Sequence, residues 1–520
     1  MPRSRCLAIT LSALLFSVGC QQQTATVDLC AVAVTPIHVI QGSAATSPLL
    51  DQQVTVRGVV VASWQAADAL GGFYLHSLEG DADQDPSTSE ALFIATDKSF
   101  AEVTVGQSLL VSGTVSETNQ VTGLRQPILE QRCADQPLPA PQLLTLPVTD
   151  FSVFEALENM PVRLAQTLVV TGHYPLSRHG QFQVAPQQQY TATQISPPGA
   201  AAHAANQQAL LARLSIDDNR AEKPRQVIYP SPELTATNTL RSGDSVANVV
   251  GILSEFNGNY QLQPTQLPTF ITSNPRPQPP PEVSAQTLRV AAFNVLNYFN
   301  GKGPDKVFPT ERGARTAADF ARQHSKIIAA LSALNADVIG LMEIENDGYD
   351  EHSAISELTT ALRASSGQDW RFINAAQAAD LGRFGTDAIT NGLIYRADRV
   401  TPHGAVITSR QAPFGTRSRP PLVHQFKALP NDELFSVAVN HFKSKGSCPR
   451  SGNAANADQQ DGQGCWNAIR VESAQLLAEL MQRAPLDSVE QTILLGDFNA
   501  YAMEDPITVL KQFGYHNRIE

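Results

Sequence analysis

The 520-residue sequence predicts a multidomain chain: two mainly-β modules, then an α/β domain with two layers of sheet and helices outside. Three observations carry this. Short apolar strands separated by turn residues fill residues 31–270. The proline-rich spacer "NPRPQPPPEV", residues 274–283, then breaks the pattern. Beyond it, buried-looking strands alternate with amphipathic helices. A chain of this length can bury several cores. With 34 Pro, 32 Gly and 42% hydrophobic residues, the first half reads as strands and long turns rather than disorder. The formal net charge of -12 argues against a tight, non-enzymatic DNA binder, which relies on many basic contacts. It argues less against an enzyme, which needs only a local positive patch and a divalent cation.

The chain starts with a targeting segment, residues 1–20. "MPRSR" is basic, "CLAITLSALLF" is apolar but short, and "SVGC" follows. This is a signal peptide rather than a membrane span. The small residue before Cys20 resembles a bacterial lipoprotein processing site, which would leave a lipidated Cys20. An ordinary signal peptide cut nearby is the alternative. The protein is thus expected at the outer membrane or cell surface as a lipoprotein, or outside the cell. Its only membrane contact would be the lipid anchor. Of the six cysteines, Cys6 lies in the removed segment and Cys20 is the lipid site. The remaining four favour the disulfides Cys30–Cys133 and Cys448–Cys465, which export permits. A zinc site is the alternative, but no pair shows the close CxxC spacing.

Residues 28–136 read as the first module. "QQVTVRGVVVAS", "GGFYLHS", "EALFIATD" and "QSLLVSGTVSE" are strands of a small barrel. The acidic segment "EGDADQDPSTSE", Glu79 to Glu90, is expected to be a solvated loop, with a structural Ca2+ ion as the alternative. "PLPAPQLLTLP" links it to the second module, residues 148–270, which carries "MPVRLAQTLVVTG", "QFQVAP" and "DSVANVVGILSEF". An inserted loop there, "PPGAAAHAANQQALLARL", leads into a short helix. The two modules share a pattern of apolar strand, glycine and strand, which leaves a distant internal repeat open. Residues 271–285 form the linker.

Residues 286–520 are the α/β domain. In "AADFARQHSKIIAALSALN", Phe320, Ile327, Leu331 and Leu334 fall on one helical face. "CWNAIRVESAQLLAELMQRA" is a second long helix. Several strands end in a polar residue: Asn294 after "RVAAF", Glu343 after "DVIGLM", Asn440 and His441 after "LFSVAV", and Asp497 and Asn499 after "TILLG". Strand ends are where α/β proteins gather functional side chains. These residue types suit phosphodiester cleavage. Glu343 offers an oxygen ligand to a hard dication such as Mg2+ or Mn2+. Asp497 can share that ion or orient a water. Asn294 and Asn499 can hold a carboxylate or donate to a phosphate without adding charge. His441 can donate to a phosphoryl oxygen as charge builds. No serine or cysteine nucleophile stands out, so direct attack by water is the economical mechanism. Composition alone does not choose between Glu343 and its neighbours Glu345 and Asp347, and regular alternation puts 343 and 345 on one face. His441 could instead be a packed histidine. Arg396 is read as a phosphate-side residue, with a salt bridge as the alternative. Asn391, Asp387, Tyr298, Lys443 and Lys445 complete the candidates for contact with substrate.

The stretches "FNVLNYF", "RQHSKIIAALSALNADVIGLMEIENDG", "TDAITNGLIYR", "NHFKSKGS" and "LLGDFNAYAMEDPI" resemble bacterial extracellular nucleases. These belong to the endonuclease/exonuclease/phosphatase superfamily, the fold of pancreatic deoxyribonuclease. The resemblance covers residues 286–520 and implies a four-layer α/β sandwich. It also implies roles: Asn294 beside the metal, Glu343 as metal ligand, His441 at the phosphate, and Asp497 and Asn499 as the "GDxN" pair. The expected substrate is extracellular DNA, with RNA as the alternative, and a monomer is expected. Rival readings are a phosphatase on small or lipid phosphate esters and an inactive surface binding protein. The first module is similar to the oligonucleotide-binding (OB) barrel often placed before such domains. Such barrels bind single strands through basic grooves and exposed aromatics. Trp64, Phe73 and Tyr74 are either that surface or barrel packing.

The family pattern ends with a further aspartate and an Asp-His pair that activates the attacking water. After Asn499 this sequence reads "AYAMEDPITVLKQFGYHNRIE", without an Asp-His dipeptide; His516 precedes Asn517. The expectation is a domain incomplete at its C-terminus. The readings are a fragment of a longer protein, a truncated gene product, or replacement of the base by another group. Glu504 and Asp505 are the nearby carboxylates.

Overall fold

The computed structural model describes residues 29–519 apart from 67, 222, 257, 379–382, 430, 453 and 484. The expected signal peptide and Cys20 lie outside the described residues. Among the described residues, no helix is long and apolar enough to cross a membrane.

The first unit comprises α1 (Ile37–Gln41), β1 (Gln53–Trp64), β2 (Gly72–His76), β3 (Ala91–Ala95), β4 (Ser108–Thr118) and β5 (Val121–Cys133). Its strands close into a barrel of order β1-β2-β3-β5-β4. An antiparallel β1–β4 pair completes the ring, and β3 runs parallel to β5. Val54, Val56 and Val60 fill the interior, and Ile37 and Ile40 of α1 pack into the same core. The run "VVVA" does not alternate, because β1 is covered on both faces. Val59, Val61, Ala62 and Tyr74 pack outward against Ile252 of the next unit. Phe73 and Tyr74 are buried, and Trp64 sets its edge against Tyr74. These aromatics are packing residues. Cys30 and Cys133 are disulfide-bonded, as the sequence reading expects.

The second unit contains β6 (Gln142–Leu143), α2 (Ser152–Glu155), β7 (Pro161–Leu164), β8 (Leu168–Gly172), α3 (Leu176–His179), β9 (Phe182–Ala185) and α4 (Ala192–Ile195). It continues with α5 (Ala200–Leu211), β10 (Leu214–Ile216), β11 (Ser245–Ala247), β12 (Val249–Phe256), β13 (Asn259–Pro264) and β14 (Thr269–Ile271). These strands form one nine-stranded sheet, β14-β11-β8-β9-β10-β13-β12-β7-β6, rather than a ring closed by pairing alone. The difference comes from interruptions. Residues 165–167 split β7 from β8, and Asn248, at φ +56°, splits β11 from β12. With β7/β8 taken as one broken strand and β11/β12 as another, the pairing repeats that of the first unit. β7 and β8 pair antiparallel with β12 and β11, and β10 runs parallel to β13. The repeat left open by the sequence is therefore present in the strand pairing.

The last unit contains β15 (Val290–Tyr298), α6 (Ala317–Leu334), β16 (Val338–Glu345), α7 (Ala354–Ser366), β17 (Trp370–Phe372), β18 (Ile389–Arg396) and β19 (Val400–Ile407). β20 (Leu422–Ala428), β21 (Leu434–His441), α8 (Asn467–Met481), β22 (Gln491–Asp497) and α9 (Asp505–Gln512) follow. Two four-stranded sheets result, β15-β16-β18-β17 and β19-β20-β21-β22. Their facing sides share one core, with Val338, Met342 and Leu393 against Val437, Val439 and Leu495. Gly340 permits this approach, since a Cβ there would stand 2.2 Å from Leu495 Cδ1. α6 and α7 cover the outer face of the first sheet through Leu331 and Leu358. α8 and α9 cover the second through Leu477 and Leu510. Thr316 caps α6 by accepting the Asp319 N–H.

Candidate active site

Parallel pairing brings the site together. β15 runs parallel to β16, and β21 to β22, so the carboxyl ends of each pair lie side by side. His441 and Asp497 are register partners at the last rung of β21–β22. Asn294 links the two sheets: its Nδ2 donates to Glu343 Oε1 (3.1 Å) and to Asp497 Oδ2 (3.3 Å). The Leu296 N–H donates to Asn294 Oδ1 (2.9 Å), which fixes the amide. His441 Nε2 lies 4.0 Å from Glu343 Oε1 and 3.9 Å from Asp497 Oδ2.

Glu343 reaches this point through a bulge. Its φ is +64°, a left-handed conformation that costs a non-glycine residue energy and tends to occur at functional sites. The pairing of β16 with β18 shifts register between Leu341 and Ile344. Met342 therefore faces the inter-sheet core while Ile344 faces the helices. The same irregularity separates Glu343 from Glu345, whose carboxylate accepts the Asn300 N–H (3.2 Å). Burial, with Asp347 nearby, pushes Glu345 up to about 7. A matching bulge in β15 puts Leu296 and Asn297 at positive φ, and the Asn297 N–H donates to Glu343 Oε2 (3.1 Å). On β22, Gly496 has φ +131°, and a Cβ there would lie 2.0 Å from the Asn440 carbonyl oxygen. Only glycine can precede Asp497 in this geometry.

Burial pushes His441 down to about 4, with the Arg419 charge acting in the same sense and Asp497 and Glu343 opposing it. The imidazole is neutral at pH 7. Among the described residues, neither Glu343 nor Asp497 has a Lys or Arg partner within salt-bridge distance. Two carboxylates and a neutral imidazole, with one ligand atom each inside 4.8 Å of the others, make a fitting donor set for a dication.

The remaining sequence candidates differ in where they lie. Asn499 orients Asp497 through its N–H (2.9 Å to Oδ1), and its side chain donates to the Phe442 carbonyl. Arg396 is not beside the phosphate position. β18 runs antiparallel to β16, so its last residue sits at the amino end of β16, where Arg396 pairs with Asp337 and Asp398. Tyr298 is fully buried, its hydroxyl 2.6 Å from His324 Nδ1, and cannot line a groove. Asn391 is fully buried too, donating to the Pro420 and Val439 carbonyls. Lys443 and Arg417 both stand over the Trp466 ring, at 5.2 and 5.0 Å. Lys445 pairs with the buried Glu504, which also accepts from Thr193 of the second unit. Asp505 accepts from Gln463 and Asn467, and His516 is exposed. Cys448 and Cys465 are disulfide-bonded, as expected.

The sequence reading passed over Arg419. Its backbone N–H donates to the His441 carbonyl (3.0 Å), and its guanidinium pairs with Asp387, which also pairs with Arg312. The signal was the basic pair in "TRSRPP", but only folding brings it to His441. Thr386, Asp387, Arg417 and Arg419 line a common cavity.

No protein-family model and no curated protein matches the chain. Solved structures do. An endonuclease/exonuclease/phosphatase family protein from Bacteroides thetaiotaomicron is 18% identical over 44% of this chain and 69% of its own, with a TM-score of 0.29. The mannosyl-6-phosphatase Bt3783 of the same species is 17% identical over 44% and 71%, with a TM-score of 0.29. The catalytic domain of human Nocturnin is 15% identical over 42% and 67%, with a TM-score of 0.25.

Proposed function

We propose that residues 286–520 form a divalent-metal-dependent phosphodiesterase of the endonuclease/exonuclease/phosphatase kind, cutting extracellular DNA, or RNA, by direct attack of water. The observation that carries this reading is the convergence of Glu343, His441 and Asp497 from two different sheets, bridged by Asn294. Glu343 sits at left-handed backbone and Asn294 borders the bulge in β15, which suits a site held against local preference.

Glu343 and Asp497 would hold Mg2+ or Mn2+, with His441 at the edge of the set. A dication bound there lowers the pKa of a coordinated water and offsets phosphate charge. The protein's own groups do the rest. Asn294 and the Asn297 N–H keep the Glu343 carboxylate in place. Asn499 aims Asp497, whose carboxylate can orient the attacking water. His441, kept neutral, can donate an N–H to a phosphoryl oxygen as charge builds there. Arg419 and Lys443 supply positive charge on the flank where a polyanion would enter, in an otherwise acidic protein. The converging side chains include no serine or cysteine, which supports water as nucleophile.

The two front units belong to this proposal as OB-like modules that carry the catalytic domain. The repeated strand pairing supports that reading, and the buried Phe73 and Tyr74 of the first barrel favour a scaffolding role for it over strand binding. Export as a monomeric lipoprotein anchored through Cys20, or as a freely secreted protein, completes it.

The test gives the chain supercoiled DNA, linear DNA and a small phosphate monoester, each with Mg2+, Mn2+ or chelator. Metal-dependent DNA cleavage is the expected result. Monoester hydrolysis without DNA cleavage would replace the nuclease reading with a phosphatase. Metal binding with neither activity would make the domain a scaffold.

A further inference from the structure

A second constellation lies far from the site just described, in the first barrel. His38 projects from α1, and Asp83 and Glu90 belong to the acidic segment between β2 and β3. His38 Nε2 lies 3.9 Å from Asp83 Oδ2, and Nδ1 lies 3.4 Å from Glu90 Oε1. The three offer ligand atoms within 4.8 Å of one another.

Two further facts point to a missing ligand. Glu90 is only 8% exposed, and its Oε2 is buried without a hydrogen-bond partner. His38 Nδ1 is likewise buried and makes no hydrogen bond. An unsatisfied buried carboxylate oxygen is costly unless a cation meets it. Arg57 is paired with Asp81 of the same segment, at 2.8 Å. The segment is also pre-shaped, since Asp83 accepts from Asp85 N–H (2.7 Å) and Glu90 Oε1 from Asp83 N–H (2.8 Å).

We propose that His38, Asp83 and Glu90 form a second divalent-metal site, of zinc type, that ties α1 to the acidic segment. One imidazole nitrogen and two carboxylates, with water completing four ligands, suit Zn2+. Ca2+ prefers six to eight oxygens, so the calcium alternative for this segment gives way. The site has a structural task. α1 closes the barrel with Ile37 and Ile40, and Ser89, next to Glu90, donates to the Glu158 carbonyl of the second unit. A metal here would fix the barrel end and its contact with the neighbouring unit together.

The experiment uses the full chain carrying Glu343→Gln and Asp497→Asn, so that the other candidate centre is silent. After chelation it is titrated calorimetrically with Zn2+ alone and with Ca2+ alone, and melted with and without Zn2+. The expected result is uptake of a single Zn2+ equivalent, a raised melting temperature and no matching response to Ca2+. Adding His38→Gln should weaken zinc binding about a hundredfold and remove the rise in melting temperature. Asp83→Asn gives the same readout if His38→Gln folds poorly. Failure of the parent to take up zinc would overturn the proposal. Zinc affinity unchanged by either substitution would overturn it as well.

Discussion

The sheet β15-β16-β18-β17 has a charged cluster at each end, and the two solve opposite problems. At the amino end of β16, Asp337 is 3% exposed, yet every charge is answered. Arg399 Nε (3.0 Å) and Arg396 Nη1 (3.4 Å) meet its Oδ1, and the Arg289 N–H (2.8 Å) meets its Oδ2. At the carboxyl end, Glu343 and Asp497 meet amides and a neutral imidazole but no cation among the described residues. The first arrangement is complete and supports stability. The second leaves two carboxylates without a cationic partner, with Glu343 on left-handed backbone, and under the proposed function it is this end that takes up the dication.

Substitutions sharpen that contrast, beginning with the largest effect. Glu343→Gln should lower metal-dependent phosphodiester cleavage by about a hundredfold to ten-thousandfold, with the melting temperature of the metal-free protein unchanged or raised. Cleavage assays paired with thermal melts read both. Asp337→Ala should do the reverse. Removing one partner of a buried ion cluster strands the arginines and costs about 3–5 kcal/mol, while activity per folded molecule stays the same. Denaturant titration with activity normalised to folded fraction checks this. His441→Asn should slow cleavage by about a hundredfold with metal affinity less affected, because its main task is donation to the phosphoryl oxygen.

A smaller effect concerns pH. Burial pushes Asp347, near the carboxyl end of the same sheet, up to about 6. The folded protein therefore holds a proton there that the unfolded chain releases. Its contribution to stability is fully present below the unfolded carboxyl pKa and is lost as pH rises through about 6. Asp347→Asn keeps an acceptor for the Ala354 N–H at the start of α7 and should flatten this loss, by about 1 kcal/mol after solvent screening. Melts at pH 4 to 7 measure it; an unchanged slope would refute the assignment.

Much of the site was legible before folding, for a physical reason. A polar residue that ends an apolar strand has few places to go, so the strand-end positions of Asn294, His441 and Asp497 could be read from the sequence, and the structure brings these side chains together. Both disulfides were legible from spacing and export. What failed depended on strand direction and on bulges. Arg396 looked like a strand-end residue, but an antiparallel β18 carries it to the far pole. Tyr298 follows a bulge that turns its ring into the core under α6, against Phe320. The choice between Glu343 and Glu345 needed the positive φ of Glu343, which no period-two reading contains. Arg419 is distant in sequence from His441. The repeat between the front units appears only in strand pairing, because two interruptions hide it in the sequence.

The most direct test of the central claim is a Mn2+ titration, followed by the electron paramagnetic resonance signal of the free ion. Wild type, Glu343→Gln and Asp337→Asn are compared. The account predicts that wild type and Asp337→Asn take up a Mn2+ equivalent that Glu343→Gln does not. Equal uptake by Glu343→Gln and wild type would contradict it, because the unanswered charge at that end of the sheet would then not be a metal site.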